Sequence, residues 1–357
     1  MDSSSASLDF AAIGHQDSWQ TITSFVNDLR ADDPVKLSQE QIQNIFPYFP
    51  PRDLFRIKVR SATGTEIKGV YIETFIDPAK LDAQSLRTNI NKVRSAVAHA
   101  TKMGARIVAM GGFTSILLEG NLDSFTTVET KFTTGNTLTT AFIVKGVEQT
   151  AAQLDIKLEN STVLFIGATG DIGLGCVDYL KHKVKKLLLC ARNQMRLETL
   201  AMALQKEKVP VAYSTALEDL VNEADIIIST ASSAGIKLDN CKKGVLICDA
   251  GFPKNLDSKV ENDFDLKLFH GGMGQVIQGY HFSPDYSNSM YHNSSPNIGH
   301  GCLLEAVIMA FEKRFENYSA GKGKITPEKV EEIYSLSLKH GVGLAPLYNA
   351  KGLWTRC

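Results

Sequence analysis

Neither sign of charge predominates in this chain of 357 residues: 38 Lys and Arg stand against 39 Asp and Glu, a formal net charge of -1. A nucleic-acid binder or a polybasic membrane-surface protein depends on a positive field that such a balance withholds, so no nucleic-acid partner is expected. Cysteine is scarce, and Cys176, Cys190, Cys241, Cys248, Cys302 and Cys357 include no C-x-x-C pair. Neither a zinc site nor a disulfide framework is indicated, and a reducing cytoplasm fits best. The eight histidines are scattered without metal-ligand spacing, so no intrinsic metal site is expected. No run of about 18 apolar residues occurs, the length a membrane span needs. Residues Met1 to Asp9 are Ser-rich and acidic, unlike a signal or transit peptide, and are expected to fray.

What is present is globular: 43% apolar and 22% charged residues, in a chain long enough for two domains. Trp19, Ile22, Val26 and Leu29 recur at helical steps behind Asp17, a candidate cap. Phe55, Ile57 and Val59 alternate with charged residues and lead through Ala62-Thr63-Gly64-Thr65 into a β-rich return over Val70 to Ile76, which predicts a hairpin. Leu86, Ile90, Val93 and Val97 share one helical face ending near Gly104. A short strand over Arg106 to Met110 enters a turn at Gly111-Gly112-Phe113-Thr114-Ser115. After Thr134 or Asn136, candidate caps, a helix runs to about Leu154 and is the expected hinge between domains.

From Ser161 onward, buried strands alternate with helices, which predicts an α/β fold with a doubly wound, parallel, Rossmann-like sheet. The strands fall at Val163 to Ile166, Lys186 to Cys190, Val211 to Tyr213, Asp225 to Ser229, Val245 to Cys248 and Leu266 to Phe269. The expected domains are an α+β substrate domain over 1–159, the Rossmann-like domain over 160–274, and 275–357 as a loop and helices that pack back and complete the first. Residues 275–301 are polar and irregular, the pattern of a lid or binding loop. Two amphipathic helices follow, one with Leu304, Val307, Ile308, Phe311 and Phe315, the other with Ile333 and Leu336 on its inner face.

The glycine spacing Gly167-Ala168-Thr169-Gly170-Asp171-Ile172-Gly173 lies between a strand and a helix. There a tight turn lets a pyrophosphate reach the helix N-terminus, so Gly167, Thr169, Gly170, Asp171, Ile172 and Gly173 are candidate cofactor ligands. The acid that would select NAD about 20 residues later is missing; Arg192 and Arg196 stand there instead, which favours the 2′-phosphate of NADP(H). Thr230, Ala231 and Gly251 follow later strands on the ligand-binding edge. Asp249 suits either turn formation or catalysis. Cys302 follows His300-Gly301 and opens a helix, where the macrodipole favours a thiolate, although the pattern alone leans to an inert packed thiol. His300, two residues away, is a candidate proton shuttle or a plain loop residue.

These motifs, in this order, resemble the long-chain fatty acyl-[acyl carrier protein] reductases of cyanobacteria over nearly the whole chain. The residues that carry it are Ile13-Gly14-His15, Gly111 to Ile116, Phe132-Thr133-Thr134-Gly135-Asn136-Thr137 and Gly167 to Gly173. It continues through Ala191-Arg192-Asn193, Gly251 to Asp257, Cys302 with Glu305-Ala306, and Lys339-His340-Gly341. The resemblance implies a two-domain reductase using NADPH, with magnesium as an activator and a cysteine matching Cys302 that becomes acylated. It implies an acyl-carrier-protein or coenzyme A thioester as substrate, reduced to an aldehyde, with Phe113 and Thr114 near the acyl or nicotinamide pocket. Residues 275–301 match poorly, and His300-Gly301 replaces more apolar residues. Two other readings remain: a shikimate- or amino-acid-dehydrogenase-like reductase of a small ketone, in which Cys302 is needless, and a non-catalytic NADP-binding regulator.

Overall fold

The computed structural model describes residues 8–16, 18–77, 83–112, 114, 130–251, 254–256, 260, 267–286, 290, 295–319, 321 and 323–354. The chain divides into two compact units: residues 1–135, 276–321 and 337–342 in one, and 136–275, 322–336 and 343–357 in the other. The helix expected to act as a hinge therefore belongs to the second unit. So do 322–336 and 343–357, which sequence reasoning sends back to the first.

The first unit is built on a six-stranded sheet. Strands β1 (Phe10–Gly14), β2 (Arg52–Arg60), β3 (Glu66–Glu73), β4 (Ile107–Met110) and β5 (Lys131–Thr133) follow chain order. Their spatial order is β2-β3-β1-β4-β5, with β3, β1, β4 and β5 parallel and β2 antiparallel to β3. Helices α1 (Trp19–Asp28), α2 (Gln39–Ile45) and α3 (Ala83–Lys102) complete this half. Ser18 caps α1, its hydroxyl accepting from the Thr21 backbone N–H; Asp17, the expected cap, lies outside the described residues.

Strand alternation sorts the side chains of this sheet. Ala11, Ile13, Val70, Ile72, Val108 and Met110 pack with Val93, Val97 and Ala100 of α3 in one apolar cluster. Gly14, Tyr71, Glu73 and Gly111, out of phase with these by one residue, therefore belong to the other face. A later helix packs there, as described below.

β1 is a finding the sequence reading did not anticipate. Fraying was expected through Asp9, yet Leu8 is buried and Asp9 is bonded to Lys68 through both its backbone and its carboxylate. With Ala11, Ala12 and Gly14, the strand has too little bulk to register as a β-run, although it occupies the middle of the sheet.

In the second unit, helix α4 (Asn136–Gln153) precedes the unit's own sheet. The strands are β6 (Thr162–Ile166), β7 (Lys186–Cys190), β8 (Val211–Ser214), β9 (Ile226–Ser229), β10 (Leu246–Asp249) and β11 (Lys267–His270). Helices α5 (Asp171–Leu180) and α6 (Gln194–Lys206) connect the first three. The order is β11-β10-β9-β6-β7-β8, all parallel, which is the doubly wound arrangement whose direction reverses between β6 and β9. Val163, Leu164, Phe165, Leu187, Leu188 and Leu189 have almost no exposed surface, as both faces of a parallel sheet are covered. Each such side chain contributes about 1.5–3 kcal/mol of burial.

Strand β12 (Met273–Val276) leads into the polar stretch expected to form a lid. There, β13 (Tyr280–Ser283) instead adds antiparallel to β2 at the edge of the first sheet, and β14 (Ile298–His300) leads directly into helix α7 (Gly301–Phe311). Helix α8 (Pro327–Lys339) follows, with Ile333 buried and Leu336 half-buried.

Candidate active site

At the end of β6 the chain turns at Gly167, whose φ of +85 suits glycine, and its backbone N–H donates to the Cys190 carbonyl at 2.9 Å. A side chain at Gly167 would press on the Ala231 backbone, and one at Gly173 would collide with the Gly167 carbonyl. Those two glycines lock the turn to β9 and to α5. Gly170, the cap of α5, differs: a Cβ there meets only the Gly167 carbonyl, at 3.3 Å. Its outer side is open, the property required where a pyrophosphate approaches a helix N-terminus. The residues present thus fit a dinucleotide.

Thr169 and Ile172 are half-buried on the same turn. Thr230 begins the next loop of the switch point, its N–H donating to the Ile166 carbonyl at 2.9 Å. Asp171 has a different job from the one expected: its carboxylate accepts from Asn136 Nδ2 at 2.8 Å and from the Gly323 backbone N–H at 3.1 Å. An acid at this position would repel a phosphate, and these two donors engage it instead.

The buried Asp249 is a turn organiser. Its carboxylate accepts from the backbone N–H groups of Gly251 (3.0 Å), Asn255 (2.9 Å) and Leu256 (3.2 Å). Asn255, fully buried, accepts from Ser229 Oγ and donates to the Ala231 and Ser233 carbonyls. Gly251 has to be glycine because the Asn255 amide fills the space of a Cβ. This network ties together the loops after β9 and β10. Arg192 and Arg196 are exposed beyond β7, and neither guanidinium forms an ion pair with a described residue.

In the first unit, Cys302 is the second residue of α7, which packs on β4, β1, β5 and β3. His300 is the cap residue, with extended backbone and no side-chain cap bond. The Cys302 sulfur lies 3.1 Å from where a Cβ of Gly111 would be, and Gly135, at a φ of +72, lets the chain pass against the Cys302 backbone. Burial pushes the thiol up to about 11, opposed by backbone hydrogen bonds from Gly112, Leu303 and Cys302 itself, with the Glu305 carboxylate reinforcing the rise. Cys302 is half-buried as a residue, while Cys176 and Cys248 are fully buried with thiols raised by the same cause. Of these three, Cys302 is the one whose sulfur is acted on by backbone N–H donors.

Thr114 is buried, and its hydroxyl donates to the Gly111 carbonyl at 2.7 Å, so it braces the turn under Cys302 rather than lining an open pocket. Phe113 lies outside the described residues. Glu305 is buried and accepts from the Thr133 hydroxyl, which in turn accepts from the Gly135 N–H at 3.0 Å. Thr134 donates to the Ser319 carbonyl. His340 bridges Ser61 Oγ (2.8 Å) and Glu312 (2.6 Å) while stacking on Phe311.

Sequence reasoning missed one group altogether. Glu73, at the end of β3, is fully buried and accepts from Gln16 Nε2 (2.8 Å), the Tyr71 hydroxyl (3.0 Å) and the Phe75 N–H (3.0 Å). Desolvation raises its carboxyl to about 7, against the lowering effect of those bonds. No spacing rule flags a lone acid within a β-run; its signal is that a charged residue occupies a face otherwise covered. Among the described residues, no group of three or more His, Cys, Asp or Glu is gathered to hold a metal ion, and no helix is long and apolar enough to cross a membrane.

The doubly wound sheet with a glycine turn at its switch point defines a dinucleotide-binding oxidoreductase domain, and residues 148–270 match the shikimate/quinate 5-dehydrogenase family. The chain is 38% identical over 304 residues to the long-chain acyl-[acyl-carrier-protein] reductase of Synechococcus elongatus, covering 82% of this chain and 87% of that one. It belongs to that reductase family. A glutamyl-tRNA reductase from Actinobacillus succinogenes is 30% identical over 154 residues, 40% of this chain and 32% of its own. Among solved structures, an L-tryptophan dehydrogenase from Nostoc punctiforme aligns over 94% of this chain and 82% of its own, with 12% identity and a TM-score of 0.38.

Proposed function

We propose that the protein reduces a fatty acyl thioester, carried by acyl carrier protein or coenzyme A, to a fatty aldehyde, using NADPH and a Cys302 acyl-enzyme. The observation that carries this reading is the setting of Cys302: a half-buried cysteine at a helix start, its sulfur over Gly111, with backbone N–H groups of Gly112 and Leu303 acting on that sulfur. Such donors stabilise a thiolate and orient it for attack. The Synechococcus relative named for acyl-carrier-protein thioesters supports the substrate class.

In this reading the Cys302 sulfur attacks the thioester carbonyl, the carrier leaves as a thiol, and the acyl group stays on the protein. NADPH, held at the glycine turn of the second unit, would supply the hydride that the carbonyl carbon takes up. The resulting hemithioacetal on Cys302 collapses to aldehyde and free thiol. A thioester accepts hydride where a free carboxylate does not, so cysteine preserves the electrophile while releasing the bulky carrier. Gly167, Gly170 and Gly173 would shape the turn that holds the pyrophosphate, Arg192 and Arg196 would pair with the 2′-phosphate, and Thr230, Ala231 and Gly251 would border the nicotinamide half. His300 is assigned to the thioester's approach, and Thr114 holds the Gly111 turn. A free catalytic thiol suits the cytoplasm. The test is to supply a long-chain acyl thioester with NADPH and follow aldehyde by mass spectrometry; cofactor binding without aldehyde would favour the non-catalytic reading.

A further inference from the structure

The last residues of three adjacent strands form a row. Gly14 of β1 is the register partner of Glu73 on β3, and Ile13 of β1 is the partner of Met110, which places Gly14 beside Gly111 beyond β4. Both glycines face the side on which α7 packs, and each is covered by a functional atom from elsewhere. The Tyr71 hydroxyl lies 2.6 Å from a Cβ position on Gly14, and the Cys302 sulfur 3.1 Å from that on Gly111. Neighbouring strands are about 4.8 Å apart, so the hydroxyl and the thiol lie over adjacent strand ends on the same face of the sheet. Behind Tyr71, the Glu73 carboxylate accepts from the Tyr71 hydroxyl at 3.0 Å, and Gln16 Nε2 donates to the same carboxylate oxygen at 2.8 Å.

We propose that the Tyr71 hydroxyl and the Glu73 carboxyl form the proton relay of Cys302 during acyl transfer. This rests on the acyl-enzyme reading above. The Cys302 S–H bond breaks as its proton passes to one bridging water, the water hands a proton on to the Tyr71 oxygen and Tyr71 hands its own to Glu73, while the sulfur bonds the acyl carbon. The carbon–sulfur bond to the carrier then breaks, and the relay runs back: Glu73 returns a proton to Tyr71, and Tyr71 delivers one to the departing thiolate. No proton is gained or lost overall, and no oxidant or reductant takes part. Tyr71 links Glu73 to the reacting sulfur; Glu73 and Gln16 act through it.

The chemistry matches the environment. A thiol held near 11 needs a base, and a buried carboxyl held near 7 is a stronger one than an ordinary glutamate. Lys92 from α3 interacts with Glu73 and with Asp77 after β3, the exposed Arg52 is the register partner of Glu73 on β2, and on α7 the Glu305 carboxylate acts on Cys302. Lys92 is itself committed to the Phe75 carbonyl at 2.6 Å, and burial pushes it down to about 8.

The experiment measures the rate of Cys302 acylation by a long-chain acyl-coenzyme A without NADPH, across the neutral pH range, in the intact protein and in Tyr71→Phe and Glu73→Gln. Tyr71→Phe keeps the ring stacked on Phe55 at 4.9 Å, and Glu73→Gln keeps the shape and removes a buried charge, so both preserve packing. The unmodified protein should gain about tenfold in rate per pH unit until about 7 and then level off. Both variants should lose that inflection and fall about 10²-fold, with NADPH affinity unchanged. Variants that keep the rate and the inflection overturn the relay while leaving the acyl-enzyme intact. Absence of any acyl group on Cys302 in the unmodified protein overturns the acyl-enzyme reading itself, and the relay with it.

Discussion

The Cys302 sulfur sits 3.1 Å from the point where a side chain on Gly111 would begin. The thiol is therefore seated on a backbone turn that has to remain bare. Gly111→Ala should displace the sulfur by a few tenths of an ångström and lower aldehyde formation more than stability. Gly135→Ala should do the reverse: its positive φ and its contact with the Cys302 backbone predict a loss of about 1–3 kcal/mol. Activity and denaturant midpoints of the two variants separate these effects, and an unchanged midpoint for Gly135→Ala would contradict the close approach.

Gly170→Val should abolish NADPH binding in calorimetry while leaving a folded chain, because a Cβ at Gly170 meets only the Gly167 carbonyl. Gly173→Ala should instead destabilise, since its Cβ runs into that same carbonyl. Full affinity in Gly170→Val would place the cofactor elsewhere.

How much of this was legible in the sequence follows from burial. Strands β6, β7, β9 and β10 are covered on both faces, so they read as short apolar runs between helices, and the glycine turn and Arg192 could be placed from them. Strand β1 escaped because Ala11, Ala12 and Gly14 give it little bulk, Gly14 being bare where the Tyr71 hydroxyl lies over it. β13 escaped because an edge strand in a polar stretch exposes alternate residues. Cys302 was visible as a helix-start thiol; Glu73 was not, since nothing local announces a buried acid whose partners, Gln16 and Tyr71, come from two strand ends.

Arg192→Asp should reverse the preference for NADPH over NADH. Losing a charge-assisted phosphate contact should cost roughly ten- to a hundredfold in NADPH affinity, with little change in stability because the side chain is exposed. Equal use of both cofactors by the unmodified protein would contradict the assignment.

Glu73 also makes stability depend on pH with a defined sign. Its carboxyl titrates at about 7 when folded against 4.5 for the ordinary group, so between those values the native state binds more protons than the unfolded one. The contribution is complete below 4.5 and is lost as pH rises through 7, by about 3 kcal/mol at most. Asp53 and Glu312, lowered by their His99 and Lys339 partners, act in the opposite direction at lower pH, so the difference between the unmodified protein and Glu73→Gln is the quantity to measure. In urea titrations the variant should become relatively more stable as pH rises from 5 to 7.5; a constant difference would mean that Glu73 does not titrate there.

The most direct test of the central claim is mass analysis of the protein incubated with an acyl thioester in the absence of NADPH. One acyl group should appear, mapped to the peptide containing Cys302, and NADPH added afterwards should remove it as aldehyde. Cys302→Ala should show neither adduct nor aldehyde while retaining NADPH affinity. If Cys302→Ala still forms aldehyde at an undiminished rate, hydride reaches the bound thioester directly and the covalent account is wrong.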